Sequence, residues 1–136
     1  MSKMIFVSLP VTDLPRSMAF YEALGFTKSA QFSGEAVACM VWSEAIRVIL
    51  LTHDTWKTLT TRPIPPSTSS EVGLALSFDS REAVDAAHDA AVSNGGTADI
   101  NPVDDYSFMY GRDFTDPDGH VWGAKWMDPA AFPPSA

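Results

Sequence analysis

Apolar and polar positions along this chain follow two periods, and the order of those periods repeats. Met4 to Leu9 is a short apolar run of strand type that Pro10 is expected to end. Asp13 suits a helix N-cap, and Pro15 falls in the first turn, where a missing N–H costs little. Leu14, Met18, Tyr21 and Leu24 then recur at helical spacing until Gly25, which predicts a helix over Leu14–Leu24. Three strand-like runs follow at Phe26–Phe32, Ala36–Trp42 and Ile46–Thr52, with turns at Gly34 and Ser43-Glu44.

Residues 54–70 break the rhythm. A short helix fits Asp54–Leu59, and Trp56 in it is expected to dock, either on the core or as a lid over a cavity. Pro63, Pro65, Pro66 and the run Ser67–Ser70 forbid regular structure. The pattern then restarts with a strand-like run at Val72–Phe78. Asp79 and Glu82 resemble a capping box, and Val84, Ala87 and Ala91 share one face of an Ala-rich helix that ends at Asn94-Gly95-Gly96. Further strand-like runs lie near Thr97–Ile100, Ser107–Phe114 and His120–Met127, and the tail from Asp128 is expected to be irregular. Asp116-Pro117-Asp118-Gly119 is a turn signal between two of these runs, so the end of the chain reads as a hairpin. Each half therefore predicts strand, helix and three strands, a duplicated βαβββ unit within one α+β domain over residues 1–136. Module one spans 1–53, the linker 54–70, module two 71–128 and the tail 129–136.

Composition narrows the function classes. At 46% hydrophobic and 19% charged residues, the chain is an ordinary globular one. A net charge of −8 with scattered Lys and Arg excludes nucleic acid as a partner, since nothing would neutralise phosphates. No apolar stretch approaches the roughly 20 residues of a membrane span. No signal peptide is visible, and the one cysteine, Cys39, suits a reducing cytoplasm. No Ser-His-Asp pattern, phosphate-binding glycine loop or paired-carboxylate motif is present, and Cys39 reads as a buried structural thiol.

Four stretches carry a family resemblance: Leu9–Tyr21, Leu24-Gly25-Phe26, Leu74–Phe78 and Asp116–His120. In that order they resemble the vicinal oxygen chelate superfamily, which includes glyoxalase I, extradiol dioxygenases and the fosfomycin- and bleomycin-resistance proteins. Met4-Ile5-Phe6-Val7, Phe108–Arg112 and Trp126–Pro129 resemble a bacterial subgroup labelled predicted lactoylglutathione lyase. The resemblance implies a cup-shaped mixed sheet built from both modules, frequent homodimers, and a divalent metal (Zn, Ni, Fe or Mn) that binds two neighbouring substrate oxygens.

The metal ligands of that superfamily carry over position by position. A His seven residues before the helix cap Asp13 falls on Phe6. A Glu in the last strand of the first module falls on Leu50, and a His opening the second module falls on Gly73. A Glu four residues after Gly119 falls on Gly123. None of these four side chains coordinates a metal. His53, His88 and His120 show no ligand spacing, and His88 is expected on an exposed helix face.

The expected site is therefore a pocket without a metal or other cofactor. Strand alternation turns Phe6, Ser8, Leu50, Thr52 and Gly123 inward. Tyr106, Phe108, Tyr110 and Arg112 alternate on one face; if that face is the cup, Arg112 can hold a carboxylate and the aromatics a planar ligand. The other reading pairs Arg112 with Asp113 or Asp116 at the surface. Trp42, with Met40 and Cys39 beside it, is a further lining candidate. Three functions follow in order of expectation. The first is a metal-independent small-molecule binder. The second is a lyase or dioxygenase of the superfamily with a relocated metal. The third is a non-catalytic interaction module with a closed cup.

Overall fold

The computed structural model describes residues 3–131. They form two compact units, one ending at Ser67 and the other beginning at Thr68. The first contains β1 (Ile5–Val11), α1 (Leu14–Leu24), β2 (Thr27–Lys28), β3 (Val37–Ser43), β4 (Ile46–Thr52) and α2 (His53–Leu59). The second contains β5 (Gly73–Ser77), α3 (Arg81–Ser93), β6 (Asp104–Tyr106), β7 (Met109–Thr115) and β8 (Val121–Met127). The architecture is α+β, two tandem βαβββ units, each with its own four-stranded mixed sheet.

The sheets have matching orders, β1-β4-β3-β2 and β5-β8-β7-β6. β1 runs parallel to β4 and β5 parallel to β8, while the remaining pairs are antiparallel. A parallel pair needs a crossover, and in each unit the helix after the first strand supplies it. β1 continues through Pro10, which lies opposite Leu51, to Val11. Pro10 does not end the ladder because β1 is an edge strand, where a residue without an N–H is tolerated.

α1 begins and ends on local chemistry. Asp13 Oδ1 accepts from the Arg16 N–H at 3.1 Å, and Gly25 takes φ +116°, a left-handed value that suits glycine. The helix buries Leu14, Ser17, Phe20, Tyr21 and Leu24. Residues opposite one another in a ladder share a face. Register therefore groups Val7, Leu9 and Val11 with Val48, Leu50, Thr52, Ala38 and Met40 on the α1 side. Tyr21, Phe26 and Trp42 continue that core as an aromatic chain with ring centroids 5.4 and 5.1 Å apart. The run Phe26–Phe32 forms only a two-residue strand before a 3-10 turn at Ala30–Phe32.

In the second unit the cap is Ser80, whose Oγ accepts from the Ala83 N–H at 3.1 Å, one residue after the Asp79 of the expected capping box. α3 buries Val84, Ala87, His88 and Ala91 against the sheet. His88 is thus not exposed; its position completes the helical stripe begun by its apolar neighbours. Thr97 makes only an isolated bridge to Thr115, so the expected run Thr97–Ile100 is not a strand. The tail is described as far as Ala131, and its remaining five residues lie outside the described part.

A polar cluster clamps α3 to β7. Arg112 donates to Asp85 Oδ1 at 3.0 Å and, through two nitrogens, to Asp99 at 3.1 and 2.8 Å. The Tyr110 hydroxyl donates to Asp85 Oδ1 at 2.7 Å, and His88 Nε2 accepts from the Asp99 N–H at 3.1 Å. Arg81 joins the same side: it pairs with Asp105 at 2.7 Å, donates to the Tyr106 carbonyl, and lies over the rings of Tyr110 and Trp126. Burial, with the Arg112 charge adding to it, holds the His88 imidazole below its ordinary value; nearby Asp99, Asp89 and Asp85 oppose the shift. The Tyr110 hydrogen bond holds the Asp85 carboxyl below its ordinary value, and hydrogen bonds from Arg112 do so for Asp99.

The last hairpin is held by a buried carboxylate. Asp116 Oδ1 accepts from the N–H groups of Asp118 at 3.0 Å and His120 at 2.8 Å, and Gly119 takes φ +87°. With Asp116 only 2% exposed, an alanine there leaves two backbone donors without their acceptor. We predict that Asp116→Ala lowers stability in urea unfolding by roughly 2–4 kcal/mol, and that Asp116→Asn, which keeps an acceptor oxygen, loses much less.

The clamp makes stability pH-dependent. A depressed His contributes stability above its unfolded value of 6.5 that is lost as pH falls through the lower folded value. The depressed carboxylates contribute above 3.8 and lose their share only in stronger acid. The urea midpoint is expected to fall between pH 7 and pH 5, and His88→Gln is expected to flatten the pH slope in that window.

Candidate functional site

With α1 on one side, register assigns the other face of the first sheet to Phe6, Ser8, Val37, Cys39, Val41, Arg47 and Ile49. A cavity of about 440 Å3 opens there, lined by Met4, Phe6, Phe32, Cys39, Arg47 and Ile49. Three of its walls are unusually exposed for their type: Met4 at 46%, Phe6 at 58% and Phe32 at 60%. Clustered exposure of this kind marks a binding surface more often than scattered apolar residues do. Arg47 is the one charged residue of the lining, and its Nε is buried without a hydrogen-bond partner.

The expected site residues divide between this face and others. Phe6 lies in the cavity lining and Ser8 beside it, opposite Ile49. Leu50 lies on the α1 side and is fully buried. Thr52 shares the face of Val11, and its hydroxyl caps α2 by accepting from the Thr55 N–H at 3.3 Å. Trp42 belongs to the aromatic core against Phe26, and Met40 is buried on the same side. The error in β4 is one of parity, which reverses every side chain of a strand.

The group Tyr106, Phe108, Tyr110 and Arg112 does not share a face. Ser107 and Phe108 turn the hairpin, so Tyr106 pairs with Met109 and stacks on Phe108 with ring centroids 5.4 Å apart. Tyr110 and Arg112 face α3, where Asp85 and Asp99 take the guanidinium in place of the Asp113 or Asp116 expected from sequence. Those hydrogen bonds raise the Arg112 pKa above its ordinary value. Arg47, Met4, Phe32 and Ile49 were not among the sequence candidates. The signal for Arg47 was available: it is the only charge in the run Ile46–Thr52.

On the face of the second sheet away from α3 stands Gly123, opposite Ala75 and Asp113. Lys125 Nζ pairs there with Asp113 Oδ1 at 2.8 Å and Asp104 Oδ2 at 3.5 Å, and Asn101 donates to Asp113 at 3.0 Å. This network occupies the space beside Gly123: a Cβ would lie 2.7 Å from Asp113 Oδ1 and 2.8 Å from Lys125 Cε, so a side chain there displaces these two flexible groups. Gly111 is crowded by the same lysine, with Cδ at 2.5 Å from a Cβ. Gly73 stands seven residues before the Ser80 cap, as Phe6 does before Asp13, and Ala75–Gly123 pairing matches Ser8–Ile49 pairing. The counterpart of Gly123 in β4 is therefore Ile49 and not Leu50. Phe6, Ile49, Gly73 and Gly123 offer no donor atom, and a lysine ammonium beside Gly123 opposes a cation. The residues present do not fit the superfamily's metal.

Comparison with known proteins agrees with this architecture. No protein with a curated description matches significantly. A hypothetical protein of S. aureus is 24% identical over 93% of this chain and 94% of its own, with a TM-score of 0.77. A glyoxalase/bleomycin resistance protein from Albidiferax ferrireducens T118 is 25% identical over 89% of this chain and 95% of its own, with a TM-score of 0.69. TnmS3, an antibiotic binding protein from Streptomyces sp. CB03234, is 25% identical over 94% of this chain and 98% of its own, with a TM-score of 0.64. The family model that matches residues 3–123 is that of the Glyoxalase/Bleomycin resistance protein/Dioxygenase superfamily, and the chain belongs to that superfamily.

Proposed function

We propose that this chain is a metal-independent small-molecule-binding protein that sequesters an aromatic or extended apolar ligand. The observation that carries this reading is the apolar cavity on the first sheet, whose volume of about 440 Å3 suits a drug-sized molecule. Its walls are aromatic, aliphatic and thioether groups that gain by shedding water onto a ligand, with one polar group to orient it. Ligand binding by TnmS3 is described for an antibiotic, which supports the same class of activity here. Binding needs no reacting group, and the cavity lining contains no acid–base pair. We place the protein in the cytoplasm, where the unpaired Cys39 stays reduced.

The Lys125–Asp113 network supports metal independence. Where the superfamily's lyases and dioxygenases need a carboxylate, this chain keeps a glycine and uses the space for an internal ion pair. Protein purified without a chelating tag is expected to contain far less than one Zn, Ni, Fe or Mn per chain. Aromatic ligands are expected to raise its Tm equally with and without EDTA. Stoichiometric metal, with stabilisation abolished by EDTA, overturns the proposal in favour of an enzyme.

Restoring the carboxylate tests the crowding directly. Gly123→Glu is expected to displace the Lys125 and Asp113 side chains, at a cost of at most about 1 kcal/mol, and to gain no metal affinity. Urea unfolding and metal titration of the variant check both parts.

A further inference from the structure

We infer that the molecule held in the first unit's cavity is an organic anion, an apolar or aromatic body whose carboxylate is gripped by Arg47. The inference rests on the small-molecule reading above and adds the chemical class. Arg47 extends from β4 between Phe6 of β1 and Val41 of β3, on the cavity face. Its Nε is buried and makes no hydrogen bond. Among the described residues no carboxylate forms an ion pair with it, whereas Arg81, Arg112 and Lys125 each hold one.

The contrast matters because the chain carries 17 acidic and nine basic residues. An acid for Arg47 is statistically easy to supply, yet the lining is Met4, Phe6, Phe32, Cys39 and Ile49. A guanidinium N–H taken from water without an acceptor is costly, and an incoming anion removes that cost. The planar fork matches a carboxylate through two parallel hydrogen bonds, which a neutral amide cannot reproduce with the same strength. A cationic ligand meets like charge at the single polar wall. The apolar walls then set the rest of the ligand: a flat or extended hydrocarbon body in contact with two phenyl rings, a thioether and an isoleucine.

The test uses the full chain and a series of aryl carboxylates of one to three rings, each beside its neutral amide. Calorimetric titration measures affinity, and methyl spectra of Met4 and Ile49 report whether the cavity is occupied. The carboxylates are expected to bind roughly tenfold to a hundredfold tighter than their amides. Arg47→Gln is expected to erase that difference, with the carboxylates losing far more affinity than their amides, and Arg47→Lys to keep part of it. An unchanged urea midpoint in both variants separates lost recognition from lost folding. Equal affinity of acid and amide, with the Met4 and Ile49 methyls shifted, overturns the anion and leaves the small-molecule reading standing. A preference for acids that survives in Arg47→Gln overturns the role of Arg47. Failure of every acid and amide to bind overturns both readings together.

Discussion

In each unit the helix after the first strand covers one face of a four-stranded sheet, and the rest of the structure depends on that one-sided cover. α1 packs on β3 and β4, and α3 packs on β7 and β8. A helix closes one face of its sheet and leaves the other to different chemistry. The cross-strand register then assigns every side chain to the closed face or the remaining one. Val48, Leu50, Ala38 and Met40 reach full burial because they share the α1 face. Phe6, Arg47 and Ile49, one residue out of phase with them, line a cavity.

The two units share this plan and treat the remaining face differently. In the second, glycines at positions 111 and 123 make room for Lys125, which answers Asp113 and Asp104 within the protein. Charge there is paired internally, and on the α3 side Asp85 and Asp99 likewise hold the Arg112 guanidinium. In the first, Arg47 faces apolar walls, and among the described residues no acid pairs with it. The two units present equivalent surfaces, one holding an internal ion pair and the other an apolar cavity with Arg47 in its wall.

Much of the fold was legible because its signals are local. Asp13, Pro15 and Gly25 bracket α1 at the residues where the helix starts and stops, and Asp116 to Gly119 turn the last hairpin. The less legible parts were decided by distant neighbours. Pro10 continues a strand only because β1 lies at an edge. His88 is buried although histidine is usually polar-facing, because its place in the helical stripe and its acceptor role toward the Asp99 N–H outweigh its composition.

What the sequence by itself determined was the order of elements, the duplication and the family likeness. Each is carried by residue identity or short-range spacing. The tertiary structure alone decided which face each side chain serves. A strand's alternation is readable, but its phase is set by a partner strand far away in sequence. Leu50 and Trp42 thereby went to the core, Tyr110 and Arg112 to α3, and Arg47 to the cavity wall. That phase made Arg47 the polar feature of the site.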